Sequence, residues 1–358
     1  MEERRTKSYG TALLVPSVQE LAKSSNLALP SRYIRPHDQP LISDDHNALN
    51  FPHLQIPVID FQKLVSEESN SELEKFHFAC KEWGFFQLVN HGVRSSLLEK
   101  TKTESENMFK LPLEEKNKYK QAPGDLDGFG QNFVFSEEQK LDWCDVFALT
   151  TLPIHMRKPR IFTKLPSAFR EAIENYSMEE EELAKSLMTQ MEKALKLKDK
   201  EVTKLFEGGT QATRLNYYPP CPQPEKVIGL ASHSDSSGLT IVLQVGDVEG
   251  LQVKNNGKWV TVKPLPNAFI VNIGDILEMV TNGEYRSIEH RATINSQRER
   301  LSIATFCNPN FGVEIGPAHT LITDQSPAKY RRLGTQEYYR GFFSRQLESK
   351  SYIESMKL

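Results

Sequence analysis

Two histidines and an aspartate are the residues of this chain best suited to chemistry. His233-Ser234-Asp235 sets an imidazole and a carboxylate two positions apart, and His290 stands further along in Glu289-His290-Arg291. Two imidazoles and one carboxylate leave open positions on a bound metal, the donor set that suits Fe(II) and O2 chemistry. At the bent end of a strand the two H-x-D side chains can converge on one point while the distant histidine arrives from another strand. Alone the tripeptide is a weak signal: with nine histidines in 358 residues it arises by chance in roughly one such chain in three. Its neighbours strengthen it. Arg300-Leu301-Ser302 follows, and on a strand residues 300 and 302 share a face, so guanidinium and hydroxyl can grip one anion. The far carboxylate of a dicarboxylate co-substrate needs such a grip. Upstream, Asn216-Tyr217-Tyr218-Pro219-Pro220-Cys221 runs into a rigid extended segment, and a phenol held beside it can donate to a carboxylate.

Those side chains need a frame, and the chain around them is rich in strands. Between residues 211 and about 313, alternation predicts strands at Leu239–Val245, Leu251–Val253, Trp259–Val262, Ala268–Ile273, Ile288–Ile294 and Leu301–Phe306. Asn255-Asn256-Gly257 between two alternating runs predicts a hairpin. Short strands at regular spacing suit a sandwich, barrel or jelly roll rather than a βαβ fold. Earlier, Ile56–Asp60 and Phe85–Val89 read as strands, and Leu73, Phe76, Cys80 and Trp83 recur at helical spacing before a capping Gly84. A second helix carries Leu97, Leu98, Thr101, Met108 and Phe109. A third, longer one carries Phe169, Ile173, Tyr176, Leu183, Leu187, Met191 and Leu195 on one stripe, which must bury against something as broad as a sheet. The first 52 residues are polar and proline-dotted, with one short helix predicted by the Ser17 and Glu20 capping box. The C-terminal stretch reads as helical, with Tyr338, Tyr339, Phe342 and Phe343 clustered.

Composition narrows the function classes. A net charge of −3 implies no basic surface, so no nucleic-acid partner is expected. Four scattered cysteines, Cys80, Cys144, Cys221 and Cys307, suit a reducing compartment rather than a disulfide framework. Met1 to Lys7 is charged with no apolar region after it, and no apolar run reaches the roughly 18 residues of a membrane span. A cytoplasmic monomer acting on a small molecule is the expectation.

The ordered set NYYPPCPQP, HSD, EGLQV, GKWV, NIGD, SIEHR and RLSIATF resembles the plant 2-oxoglutarate/Fe(II)-dependent dioxygenases, and IPVID and KEWGFFQLVNHG resemble that family's N-terminal region. The likeness runs from about residue 15 to the end. GFGQ at 128–131 and LDW at 141–143 favour the branch of senescence-related proteins and opium-poppy alkaloid O-demethylases over flavonol or anthocyanidin synthases. The resemblance implies a mainly β fold with flanking helices, a double-stranded β-helix (jelly roll) core. It divides the chain into an arm at 1–52, a dioxygenase N-terminal region at 53–165, a long helix and connector at 166–210, the core at 211–313 and a helical end at 314–358. Iron would be held by His233, Asp235 and His290, and 2-oxoglutarate by Arg300 and Ser302 with Tyr218 and Asn216 assisting. None of these positions departs from the family pattern. The implied reaction consumes O2, releases succinate and CO2, and is stimulated by ascorbate. It would hydroxylate or O-demethylate a small aromatic or polycyclic plant metabolite such as an alkaloid, flavonoid or terpenoid. Desaturation or ring closure would use the same residues, as would an ascorbate-using oxidase; a non-catalytic binding protein would not need the intact triad. Strand parity with Arg300 and Ser302 turns Phe306 toward the cavity, and Phe129, Phe133, Phe147 and Phe342 are further candidates for its lining.

Overall fold

Alternating sequence builds two facing sheets in this computed structural model, which describes residues 13–23, 28–35, 55–66, 70–122, 124–131, 134, 136–345 and 349–358. The strands of the two sheets are β1 (Val58–Asp60), β2 (Phe85–Val89), β3 (Gly128–Gly130), β4 (Asp145–Leu152), β5 (Thr210–Tyr218), β6 (Leu230–His233), β7 (Leu239–Val245), β8 (Leu251–Asn255), β9 (Lys258–Thr261), β10 (Phe269–Ile273), β11 (His290–Ala292) and β12 (Arg300–Asn308), and a separate two-stranded ribbon pairs Glu314–Ile315 with Leu333–Gly334. Eight form a main sheet in the order β1-β2-β10-β7-β12-β5-β4-β3, and four form a minor one, β6-β11-β8-β9. Apart from the parallel β1–β2 pair, the neighbours in both sheets run antiparallel. The inner faces meet through apolar side chains of both sheets: Leu251, Val253 and Val260 against Phe85 and Ile270, and Ala292 against Tyr218, Val146 and Ala148. This is the jelly-roll arrangement with flanking helices that the sequence implied.

The outer face of the main sheet is apolar too and needs a cover. The 29-residue helix Ser167–Leu195 supplies one, burying Phe169, Ile173, Tyr176, Leu183, Leu187 and Met191 along one stripe. They share a core with Leu215 of β5, Ile241 and Leu243 of β7 and Ile303 of β12. Each buried aliphatic of this kind contributes about 1.5–3 kcal/mol. The helix Ser95–Lys110 lies beside it and buries Leu97, Leu98, Thr101, Met108 and Phe109 in the same core.

The periodic elements form as expected, with differences at their edges. The helix Asn70–Phe78 continues as a π-helical turn through Ala79–Trp83 and stops at Gly84, whose φ is +59°. A Cβ there would lie 2.1 Å from the Arg286 carbonyl oxygen, so the position requires glycine for space as well as conformation. The Asn255-Asn256-Gly257 hairpin joins β8 to β9 with Asn256 and Gly257 both at positive φ, as a two-residue turn demands. The expected strand Ile288–Ile294 shrinks to His290–Ala292, because its register against β6 shifts between those residues. Elements not anticipated include β3, β4, most of β5, the short helices Leu113–Asn117, Pro159–Phe162 and Thr203–Phe206, and the helix Asp275–Val280 inside the strand-rich stretch. In the N-terminal arm the predicted helix forms at Val18–Ala22. Ser17 Oγ accepts from the Glu20 amide at 3.3 Å, and Asp145 of β4 accepts from the Val18 and Gln19 amides at 2.8 and 2.9 Å.

Candidate metal and co-substrate site

Sheet register brings the two histidines together. β6 and β11 pair antiparallel with His233 opposite His290, and the ring centroids stand 4.2 Å apart. Asp235 follows β6 by two residues. Its Oδ1 lies 3.6 Å from His233 Nε2 and 3.7 Å from His290 Nε2. Ligand bonds near 2.1 Å, opened 90–120° around one ion, set donor atoms roughly 3.0–3.6 Å apart, so both distances from Asp235 lie at the upper end of what one first-row cation needs, and the three ligand atoms all lie within 4.8 Å of one another. All three residues are buried.

Each ligand is held by its second polar atom. His233 Nδ1 donates to the Ala231 carbonyl at 2.8 Å and His290 Nδ1 to the Ile288 carbonyl at 3.1 Å. A carbonyl only accepts, so both Nδ1 atoms carry hydrogen and both Nε2 lone pairs face the centre. Asp235 Oδ2 accepts from Thr240 Oγ1 and Asn272 Nδ2, each at 2.7 Å, which leaves Oδ1 for the metal. The Phe85 ring sits edge-on to His290 at 5.2 Å and limits its tilt. Burial, with His233 beside it, pulls His290 down to about 4, so its imidazole is neutral and ready to ligate at ordinary pH. Burial would raise the Asp235 carboxyl, but the two imidazoles and Asn272 outweigh it and hold the group well below the usual carboxylate range.

Four predicted anion-binding residues form two cross-strand pairs on the inner face: Arg300 of β12 opposite Tyr218 of β5, and Ser302 opposite Asn216. The Arg300 guanidinium lies 5.2 Å from the Tyr218 ring centre and is 4% exposed. Its Nη2 donates to Gln244 Oε1 at 3.1 Å, while its Nε, like Asn216 Oδ1, is buried without a hydrogen bond. Burial lowers the Arg300 pKa and the neighbouring Tyr218 raises it. A buried guanidinium with an amide partner and an idle N–H fits a carboxylate from outside the chain.

The cavity aromatics divide. Phe306 is half-buried on the inner face, opposite Ala212 of β5 and Thr240 of β7. Phe147 and Phe129 are turned the other way. Phe147 pairs with Leu215, whose side chain is in the helix-covered core, and Phe129 pairs with Phe147. The two rings stack at 4.3 Å among Phe109 and Phe169. They are outer-face core residues and not cavity lining, because the pleat sends odd positions of β4 toward the helix. Phe342 joins Phe343 and Tyr352 in the C-terminal aromatic cluster. Phe133 lies outside the described residues. Sequence reasoning missed Thr240, Asn272, Gln244 and Arg214. Arg214 stands on the inner face between Ala148 and Ala304, its Nε buried and unbonded.

Comparison with known proteins agrees with this geometry. Residues 209–309 match the 2OG-Fe(II) oxygenase superfamily profile, and residues 56–169 match the profile described as non-haem dioxygenase in morphine synthesis N-terminal. The chain is 51% identical to oxoglutarate-dependent flavonoid 7-O-demethylase 1 of Ocimum basilicum, over 99% of this chain and 94% of the relative. It is 50% identical to thebaine 6-O-demethylase of Papaver somniferum over the full length of both. The structure of JOX2 in complex with 2OG, Fe and JA superposes with a TM-score of 0.87 at 35% identity, covering 98% of this chain and 99% of that one. Paired histidines, a braced aspartate and an idle buried arginine thus stand in a chain that belongs to the 2OG-Fe(II) oxygenases, enzymes that use Fe(II), 2-oxoglutarate and O2.

Proposed function

We propose that this enzyme O-demethylates or hydroxylates a small aromatic or polycyclic plant specialised metabolite, an alkaloid, flavonoid or terpenoid, with release of succinate and CO2. The observation that carries the reading is its near-equal likeness to two O-demethylases named for different substrates, a flavonoid and thebaine. In this reading His233, Asp235 and His290 hold Fe(II), which when bound supplies the oxidising chemistry for O2 and 2-oxoglutarate. Arg300 and Ser302 take the far carboxylate of 2-oxoglutarate, and Tyr218 and Asn216 close around it. The stacked Tyr218 ring keeps the guanidinium planar to its anion and excludes water from the pair. The primary substrate lies further along the same face. There Ala148, Ala212 and Ala304 leave room for a flat ring, Phe306 packs on it, and Arg214 donates to an oxygen of the substrate.

Ascorbate stimulates turnover in this reading, and the enzyme works as a cytoplasmic monomer. Its four cysteines are all free thiols, which suits a reducing compartment. No helix among the described residues is long and apolar enough to cross a membrane. The test is incubation with Fe(II), 2-oxoglutarate and ascorbate against methoxylated flavonoids and alkaloids. Succinate formed together with a product lacking one methyl group, or carrying one added oxygen, supports the proposal. Turnover confined to peptides, nucleic acids or free amino acids refutes it.

A further inference from the structure

The edge of the minor sheet is closed by a residue from the far end of the chain. β6 pairs with β11 on one side. On its other side the Ser349 amide donates to the Ser232 carbonyl, and the Ser234 amide donates to the Ser349 carbonyl, each at 3.2 Å. These two bonds make a parallel bridge centred on His233. Ser349 forms it at φ +50°, the left-handed region, where a serine persists only if its surroundings hold it.

What holds it reaches both halves of the metal site. The Ser349 hydroxyl donates to Glu289 Oε1, and Glu289 also accepts from Ser232 Oγ at 3.2 Å and Lys254 Nζ at 2.9 Å. One carboxylate, next in sequence to His290, therefore ties the tail to β6 and β8. Lys350 Nζ donates to Glu278 Oε2 at 2.9 Å and to the Ser287 carbonyl at 2.6 Å. Glu278 lies on the helix Asp275–Val280, whose Asp275 amide donates to the Asp235 carbonyl at 2.7 Å. Ser234 Oγ adds a bond to Asp275 Oδ2 at 3.2 Å. Each of the three ligand-bearing segments is thus joined to this dipeptide, directly or through one carboxylate-bearing element.

We propose that Ser349 and Lys350 form a strap that positions the metal-binding triad, so that metal affinity depends on two residues that never touch the metal. The inference rests on the reading of His233, Asp235 and His290 as ligands, and the test separates the two. Metal-free full-length protein is titrated with Mn(II), and free Mn(II) is followed by its EPR signal. Wild type, His290→Ala, Ser349→Ala/Lys350→Gln and Ser349→Asn/Lys350→Arg are compared; asparagine tolerates the positive φ and keeps a side-chain donor for Glu289. Partners one shell behind metal ligands typically change affinity 10- to 100-fold, so the Ala/Gln variant is expected to bind roughly tenfold more weakly. The Asn/Arg variant should recover most of that loss, and amide exchange at Ser234 should accelerate in the Ala/Gln variant alone. Mn(II) affinity within about threefold of wild type, with or without a lowered melting temperature, makes the contacts merely structural and overturns the strap. Wild type that binds no better than His290→Ala removes the ligand reading and the strap with it. Should the double variant fail to fold, the two single substitutions are judged by the same criterion.

Discussion

If Arg300 anchors 2-oxoglutarate as proposed, replacing it should separate co-substrate binding from folding, because the buried guanidinium keeps an N–H without a hydrogen bond. Among the described residues its Nη2 donates to Gln244 at 3.1 Å, the Tyr218 ring centre lies 5.2 Å from the guanidinium, and its Nε is without a hydrogen bond. Lysine at this position keeps the charge but loses the planar fork. One lost charge-assisted bond costs about 1.5–3 kcal/mol, so the apparent KM for 2-oxoglutarate should rise roughly 10- to 150-fold at saturating primary substrate. The KM of the primary substrate should move far less.

Arg300→Gln carries the sharper test. A buried, unpaired cation has lost hydration that Gln244 and Tyr218 only partly replace, so its removal should not lower the stability of the protein without co-substrate. Denaturant melts with Mn(II) present, with and without 2-oxoglutarate, report this. At 100 times its Kd, 2-oxoglutarate should stabilise wild type by about 2.7 kcal/mol and the glutamine variant by close to nothing. An unchanged KM in Arg300→Lys, or equal stabilisation of Arg300→Gln, refutes the anchor.

Other perturbations test the remaining parts. Elemental analysis of purified His233→Ala, Asp235→Ala and His290→Ala should find each without iron, since two remaining ligands cannot complete a three-point face; wild-type loading in any of them sinks that ligand. Asn272→Ala removes one of two donors on Asp235 Oδ2, and Mn(II) affinity should fall roughly 10- to 100-fold. Glu180 is buried at the helix–sheet contact near Thr305 and Tyr176, and burial pushes it up to about 8. Unfolded, it ionises near 4.3, so the folded state binds the extra proton between those values. That stabilisation, on the order of 5 kcal/mol, is fully present below pH 4 and lost as pH rises through 8. Glu180→Gln should flatten this part of the pH–stability profile, and parallel profiles for the two proteins would exclude Glu180 as its source. Formaldehyde formed in step with succinate identifies demethylation of the primary substrate, whereas an oxygenated product without formaldehyde identifies hydroxylation.

What could be read from sequence depended on whether a residue's type alone suggests its role. His233, Asp235, His290, Arg300 and Ser302 stand out because imidazoles and a paired cation and hydroxyl are chemically distinctive at short spacing. Asn272, Thr240 and Gln244 do not stand out; neutral polar residues inside strands matter here only through cross-strand partners, which need the sheet order to be known. The same limit explains the phenylalanines. Parity within β12 is enough to turn Phe306 inward, but Phe147 and Phe129 sit on β4 and β3, whose pairing with β5 sets which parity is inner. β4 itself, DVFALTTL, lacks polar alternation because it is buried on nearly every side, and so it gives no period-two signal. Pro219 and Pro220 drew attention to the end of β5 and hid the strand before them.

The β5–β12 ladder shows why reaction and substrate choice can vary separately on this fold. Four successive inner-face pairs run along it: Tyr218 with Arg300, Asn216 with Ser302, Arg214 with Ala304, and Ala212 with Phe306. The intervening residues Leu215, Leu301 and Ile303 face the opposite way and are buried beneath the helices. A slip of one residue would drive Arg300 into that apolar layer and expose the leucines to the cavity, so core burial and the anion grip enforce the same register. Substitutions at 212, 214, 304 or 306 leave the apolar layer beneath the helices unchanged, because these side chains are on the other face of the sheet. In the proposed reading the first two pairs are constrained by the co-substrate and the last two by the primary substrate. In that reading, exchanges at the inner-face pairs Arg214–Ala304 and Ala212–Phe306 should redirect this enzyme without disabling it.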